Sequence, residues 1–109
     1  MSGIVNYKLT VGDQSYAGAA SYTEKIEAEA AIATGASDTA LSIGSLTTVD
    51  VMILISDQAI SININSNAGT DITVDANKPL ALAGTAITAL YVSNASGSTA
   101  NIKYSLYGA

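Results

Sequence analysis

The stretch Val49-Asp50-Val51-Met52-Ile53-Leu54-Ile55-Ser56-Asp57-Gln58-Ala59-Ile60-Ser61-Ile62-Asn63-Ile64 decides the class of fold. In its second half Ile60, Ile62 and Ile64 alternate with Ser61, Asn63 and Asn65, a period of two that marks a strand with one buried face. Its first half alternates at Val49 and Val51 and then turns continuously apolar from Met52 to Ile55, the pattern of a central strand covered on both faces. Ser56-Asp57-Gln58 supplies the turn between them. Asp50, Asp57 and Gln58 also interrupt the apolar residues of 46–64, so two strands are expected there and not a membrane span.

Outward from this pair the same reading continues. Val5, Tyr7, Leu9 and Val11 share one face of a first strand that Gly12-Asp13 closes. Residues 13–21, Asp-Gln-Ser-Tyr-Ala-Gly-Ala-Ala-Ser, are small and polar without a usable period, and read as a loop or an arm. Residues 22–34 carry two competing signals. Glu24-Lys25-Ile26-Glu27-Ala28-Glu29-Ala30-Ala31 consists of strong helix formers. Yet Ile26, Ala28, Ala30 and Ile32 fall on even positions and Lys25, Glu27 and Glu29 on odd ones, and that period of two favours a strand. Short strands follow at 39–43, at Ile72 and Val74, at 80–82, at 87–92 and at 100–107, separated by Gly, Asn and Ser turns. The expected fold is all-β: a single antiparallel β-sandwich of jelly-roll type over residues 1–109, with about eight strands and turn signals roughly every 8 to 12 residues.

Composition supports a core of its own. At 109 residues the chain buries roughly two-thirds of its unfolded surface without a disulfide or a metal. Phe, Trp and Cys are absent, and Ile, Leu, Val, Ala and six Tyr supply the apolar fraction of 49%. Four Lys and no Arg face nine acidic residues, for a net charge of −5. That balance removes the cationic surface a phosphate backbone requires, so nucleic acid is not an expected partner. The absence of Cys fits the cytosol or a particle assembled there. Met1-Ser2-Gly3-Ile4-Val5-Asn6-Tyr7-Lys8 has neither a basic nor an apolar leader region, so no signal peptide is expected, although a processed chain would read the same way.

Chemistry is thinly provided for. Without His and Cys, neither a Ser-His-Asp nor a Cys-His centre can be assembled, and no catalytic or cofactor-binding residue is assigned. Glu27 with Glu29, or Asp71 with Asp75, are the nearest paired carboxylates of the kind a hydrolase uses. Glu27 and Glu29 share a strand face and read as a solvated stripe. Asp71, Asp75 and Asn77 offer the oxygen ligands Ca²⁺ takes, but turn chemistry accounts for them equally and no metal is expected. Asn94-Ala95-Ser96 is formally a glycosylation acceptor and reads as a turn. Tyr16 and Tyr22 beside the small-residue segment, and Tyr104 and Tyr107 near the C-terminal end, are the candidate interface residues. Tyr joins a large apolar body to a polar tip, although core or strand-pair packing uses the same properties.

The run Val51-Met52-Ile53-Leu54-Ile55-Ser56-Asp57-Gln58-Ala59-Ile60-Ser61-Ile62, then Pro79-Leu80-Ala81-Leu82 and Ile87-Thr88-Ala89-Leu90-Tyr91-Val92-Ser93-Asn94, resembles the small β-sandwich structural proteins of tailed bacteriophages. The ending Ser96-Gly97 with Ala100-Asn101-Ile102-Lys103-Tyr104-Ser105-Leu106-Tyr107-Gly108 is similar too, so the resemblance covers roughly the last 60 residues. It implies a virion part assembled in the host cytoplasm: a capsid decoration (cement) subunit bound to the major capsid protein or another virion protein, or a tail or fibre component. A homo-oligomer, taken as a trimer, follows from the same analogy. A carbohydrate- or receptor-binding module is the alternative from a different class, and the missing Trp weakens it.

Overall fold

A computed structural model describes residues 3–66 and 71–109. The described residues contain ten strands and no helix: β1 Gly3–Val11, β2 Gln14–Tyr22, β3 Glu24–Ile32, β4 Thr39–Leu41, β5 Val49–Ser56, β6 Ile60–Ile64, β7 Ile72–Val74, β8 Leu80–Ile87, β9 Leu90–Ser93 and β10 Ala100–Gly108. All pairings are antiparallel.

From β3 onward the pairing is nested about one midpoint. β6 pairs with β7, β5 with β8, β4 with β9 and β3 with β10. Two further pairings, β10 with β5 and β9 with β6, join these ribbons into four-stranded sheets ordered β3-β10-β5-β8 and β4-β9-β6-β7. Residues from both sheets form one buried cluster, with Met52, Leu54, Ile102 and Leu106 from the first and Ile62, Leu90 and Val92 from the second. Fully burying such side chains is worth about 1.5–3 kcal/mol each, and this cluster is the main favourable term.

Within the contested residues 22–34, Glu24–Ile32 form a strand. Ile26, Ala28 and Ala30 are half-buried and Ile32 is buried, while Lys25, Glu27, Glu29 and Ala31 are exposed. Helix propensity, a few tenths of a kcal/mol per residue, is outweighed by nine backbone pairs to β10 and one apolar face on the core.

Residues 13–21, expected as a loop or an arm, are a strand over most of their length. β2 pairs with β1 from Gly3↔Tyr22 to Val11↔Gln14, which leaves Gly12-Asp13 as a two-residue turn. Gly12 has φ 61° at the first central position, where a type II′ hairpin turn requires glycine. The signal that β2 lacks in its own sequence comes from across the ribbon. The Tyr7 ring lies over its cross-strand partner Gly18 and the Tyr22 ring over Gly3, and neither glycine has free room for a Cβ. An aromatic thus covers the bare backbone of each glycine. β1 and β2 form a separate two-stranded sheet, a hairpin appended to the body.

Two local readings shift. The strand expected over residues 87–92 is broken at Thr88-Ala89, because the Asn65 carboxamide accepts from Thr88 N at 2.6 Å and Ala89 N at 3.3 Å and donates to Ala86 O at 2.9 Å. Asn63, expected on a solvated face, is buried, and its Nδ2 donates to Asp38 Oδ1 at 3.3 Å.

Candidate functional site

β5 runs through the middle of its sheet, between β10 and β8. Its inner positions Met52, Leu54 and Ser56 are buried. Its outer positions should then be alike, but they differ: Val51 is 6% exposed, whereas Ile53 is 47% and Ile55 is 37% exposed. The expectation that both faces of this strand are covered holds only at Val51. The cover is the hairpin, since Tyr7, Lys8, Tyr16 and Ala17 border a cavity of about 270 Å³ together with Val51, Ala81, Leu82 and Ala83.

Beyond the hairpin the outer face stays open. A shallow groove of about 750 Å³ runs over it, floored by Ile53 and Ile55 and bordered by Pro79, Glu27, Glu29 and Lys103. Glu27 lies 3.8 Å from Lys25 and Glu29 lies 3.8 Å from Lys103. All four are solvated to a degree at which such pairs add at most about 1 kcal/mol each. The paired carboxylates therefore sit on the border of an apolar strip.

Among the described residues the hairpin carries the other large exposed apolar side chains. Ile4 is 64%, Tyr16 61% and Tyr7 37% exposed. Gly18, Ala20 and Tyr22 on β2 are half-buried, while residues 14–17 are exposed on both faces. The ribbon is thus packed most closely at its base and is otherwise largely exposed, and a two-stranded ribbon alone is marginal in water.

The four tyrosines expected at an interface divide among three settings. Tyr16 is exposed on the hairpin, beside the cavity it shares with Val51 and residues 81–83. Tyr22 and Tyr107 pack edge to face, with ring centroids 5.1 Å apart, and join the hairpin base to the body. Tyr104 is buried in the core and its hydroxyl donates to Ser42 O at 2.9 Å. Burial raises the Tyr104 pKa above its ordinary value. Ile4, Tyr7, Ile53 and Ile55 were not among the expected interface residues. A period of two marks Ile53 and Ile55 as facing away from the core, but which part of that face is covered depends on a hairpin more than 30 residues earlier in the chain.

The remaining candidates are accounted for locally. Asn94 is fully buried, its Nδ2 donates to Ile32 O and Ser98 O, and its Oδ1 accepts from Ser96 N and Ser96 Oγ. It is a turn and core pin with no free amide for a glycan. Asp75 lies 3.8 Å from Lys78, and Asn77 takes φ 61° in the turn between them. Among the described residues no three acidic, His or Cys side chains gather as a metal site, and no helix is long and apolar enough to cross a membrane. The Asp57 carboxylate accepts from Asn101 Nδ2 at 2.9 Å and Asn101 N at 2.8 Å, and these bonds lower its pKa.

No family model, curated protein or solved structure matches this chain.

Proposed function

We propose that this chain is a non-enzymatic virion structural protein, a capsid decoration subunit that uses its β1–β2 hairpin to grip a neighbouring virion protein. The observation that carries this reading is the hairpin itself: an appended two-stranded ribbon that leaves Ile4, Tyr7 and Tyr16 partly or largely in water. Exposed apolar residues concentrated on one marginal element are what a docking element presents, and burying each such side chain on a neighbour returns roughly 1.5–3 kcal/mol. A decoration subunit needs a self-supporting body and an adhesive extension, and this architecture provides both.

In this reading the body, β3 to β10, is a jelly-roll sandwich. The nested pairs 6–7, 5–8, 4–9 and 3–10 are what results when one long antiparallel ribbon is wrapped on itself, and the sheet orders follow from that wrapping. The shared core between the two sheets supports the same picture. The resemblance to tailed-phage structural proteins supplies the choice of partner, the major capsid protein or another virion protein, and the assembly site in the host cytoplasm. The net charge of −5 argues against nucleic acid as that partner.

The test is co-sedimentation of the purified chain with undecorated heads of its own phage. Saturable binding that raises the temperature of head disruption is expected. Binding to tails or fibres with none to heads overturns the capsid assignment, and retention on glycan arrays without binding to any virion part favours a receptor-binding module.

A further inference from the structure

The cavity of about 270 Å³ between the hairpin and its sheet exists because much of its wall is built from short side chains. Ala17 on the hairpin and Ala81 and Ala83 on β8 border it, where longer residues would close the gap. Tyr7 and Tyr16 border it too, and the register Tyr7↔Gly18 and Leu9↔Tyr16 puts their side chains on one face of the ribbon. Both keep contact with water, at 37% and 61% exposed, so the cavity opens to solvent beside them.

Size selects the class of occupant. A cavity of about 150 Å³ already takes a benzene ring, whereas pockets for whole small-molecule ligands start near 300 Å³. About 270 Å³ is therefore room for one large apolar side chain. Charge selects what stands beside it. Three of the four lysines are already paired: Lys25 with Glu27, Lys78 with Asp75 and Lys103 with Glu29. Lys8, the fourth, is in no ion pair among the described residues, and it is the one charged residue that borders this cavity. In a chain of net charge −5, an unneutralised cation next to an apolar hole is complementary to an apolar group with a carboxylate at its side.

We infer that this cavity is the socket of the grip: it takes one large apolar side chain, such as Phe or Leu, from a segment of the neighbouring virion protein, and Lys8 pairs with an acidic residue adjacent to that side chain. Burial against Val51, Leu82 and the alanines supplies the affinity. Lys8 is exposed, so its pairing sets preference more than strength. The inference rests on the proposed gripping role of the hairpin and names the chemistry that is gripped.

Peptides take the place of heads in the test, so the two readings fail separately: a peptide that binds while heads do not would remove the capsid assignment and keep the socket. The isotope-labelled full chain is titrated by NMR with acetyl-Gly-Phe-Asp-Gly-amide and with its Phe-Lys and Ala-Asp counterparts. The Phe-Asp peptide is expected to give saturable shifts at the amides of Tyr7, Tyr16, Val51, Ala81 and Ala83. It should bind about two- to five-fold more tightly than the Phe-Lys peptide, the range of an exposed ion pair, and the Ala-Asp peptide should not saturate. Lys8→Glu should reverse the preference, while Lys78→Glu, the same change away from the cavity, keeps it. Ala83→Leu, which fills the cavity, should abolish binding. The inference is overturned by the absence of saturable shifts with the Phe-Asp peptide, or by shifts confined to another surface such as Ile53 and Ile55. A preference that ignores Lys8→Glu, or undiminished binding in folded Ala83→Leu, overturns it equally. If Ala83→Leu does not fold, the site of the shifts and the Lys8→Glu exchange decide: reversal at the named amides supports the socket and its absence overturns it.

Discussion

Tyr22 and Tyr107 pack edge to face at 5.1 Å with their planes 65° apart, and this contact ties the base of the β1–β2 hairpin to the last strand of the body. Around it, Thr23 N donates to Gly108 O at 2.8 Å, which fixes where the chain leaves the hairpin and enters β3. Body and hairpin are therefore tied closely at the base, while further along the ribbon only a cavity lined by Tyr7, Lys8, Tyr16 and Ala17 separates it from β5 and β8.

An aromatic pair of this geometry adds about 0.5–1.5 kcal/mol beyond the area it buries. Tyr107→Ala is expected to speed amide exchange throughout β1 and β2 while β5 and β10 keep their protection. A double-mutant cycle with Tyr22→Ala should give a coupling energy in the same range. Uniform loosening of the whole chain would mean that the hairpin is integral to the core.

Asn94 pins the turn before β10 through four hydrogen bonds and is fully buried. Asn94→Ala leaves the Ile32 and Ser98 carbonyls without this donor and is expected to cost about 1–3 kcal/mol. Denaturant unfolding measures this. Asn94→Asp should also destabilise, since a carboxylate cannot donate to those carbonyls. Parent-like stability in both variants would contradict the pin.

Asp57 gives a pH signature. Its bonds to Asn101 lower its pKa in the folded chain, whereas in the unfolded chain it titrates near 3.8. The stabilisation is therefore complete above that value and is lost as pH falls through the lower folded-state value. Asp57→Ala is expected to lower the melting temperature at neutral pH, by a small amount because the group is exposed, with the difference closing as pH falls below 3.8 and through the lower folded-state value. A difference that stays constant into strong acid would assign the effect to something other than the carboxylate.

The sequence discloses this fold unevenly, and the reasons are physical. Ile60 and Ile62, and the even positions of β3, are legible because each strand turns one face to the core and a period of two records that directly. β2 is not, because its Ser, Ala and Gly carry little strand signal and its pairing is supported by Tyr7 of β1, whose ring covers Gly18 across the ribbon. Tyr104 and Tyr107 illustrate the limit for the candidate site. They are three residues apart on one strand, so they face opposite ways, and only the packing shows that Tyr104 enters the core while Tyr107 meets the hairpin. The exposure of Ile53 and Ile55 beside the covered Val51 is likewise set by a distant element, which no local pattern encodes.

The central claim, that the hairpin is the element that grips a virion neighbour, is tested most directly by amide exchange of the chain free and bound to undecorated heads. The account predicts strong new protection in β1 and β2, greatest around Tyr7 and Tyr16, with the β5 and β10 core unchanged. Binding that leaves residues 3–22 exchanging as in the free chain, with protection appearing only elsewhere, would contradict it.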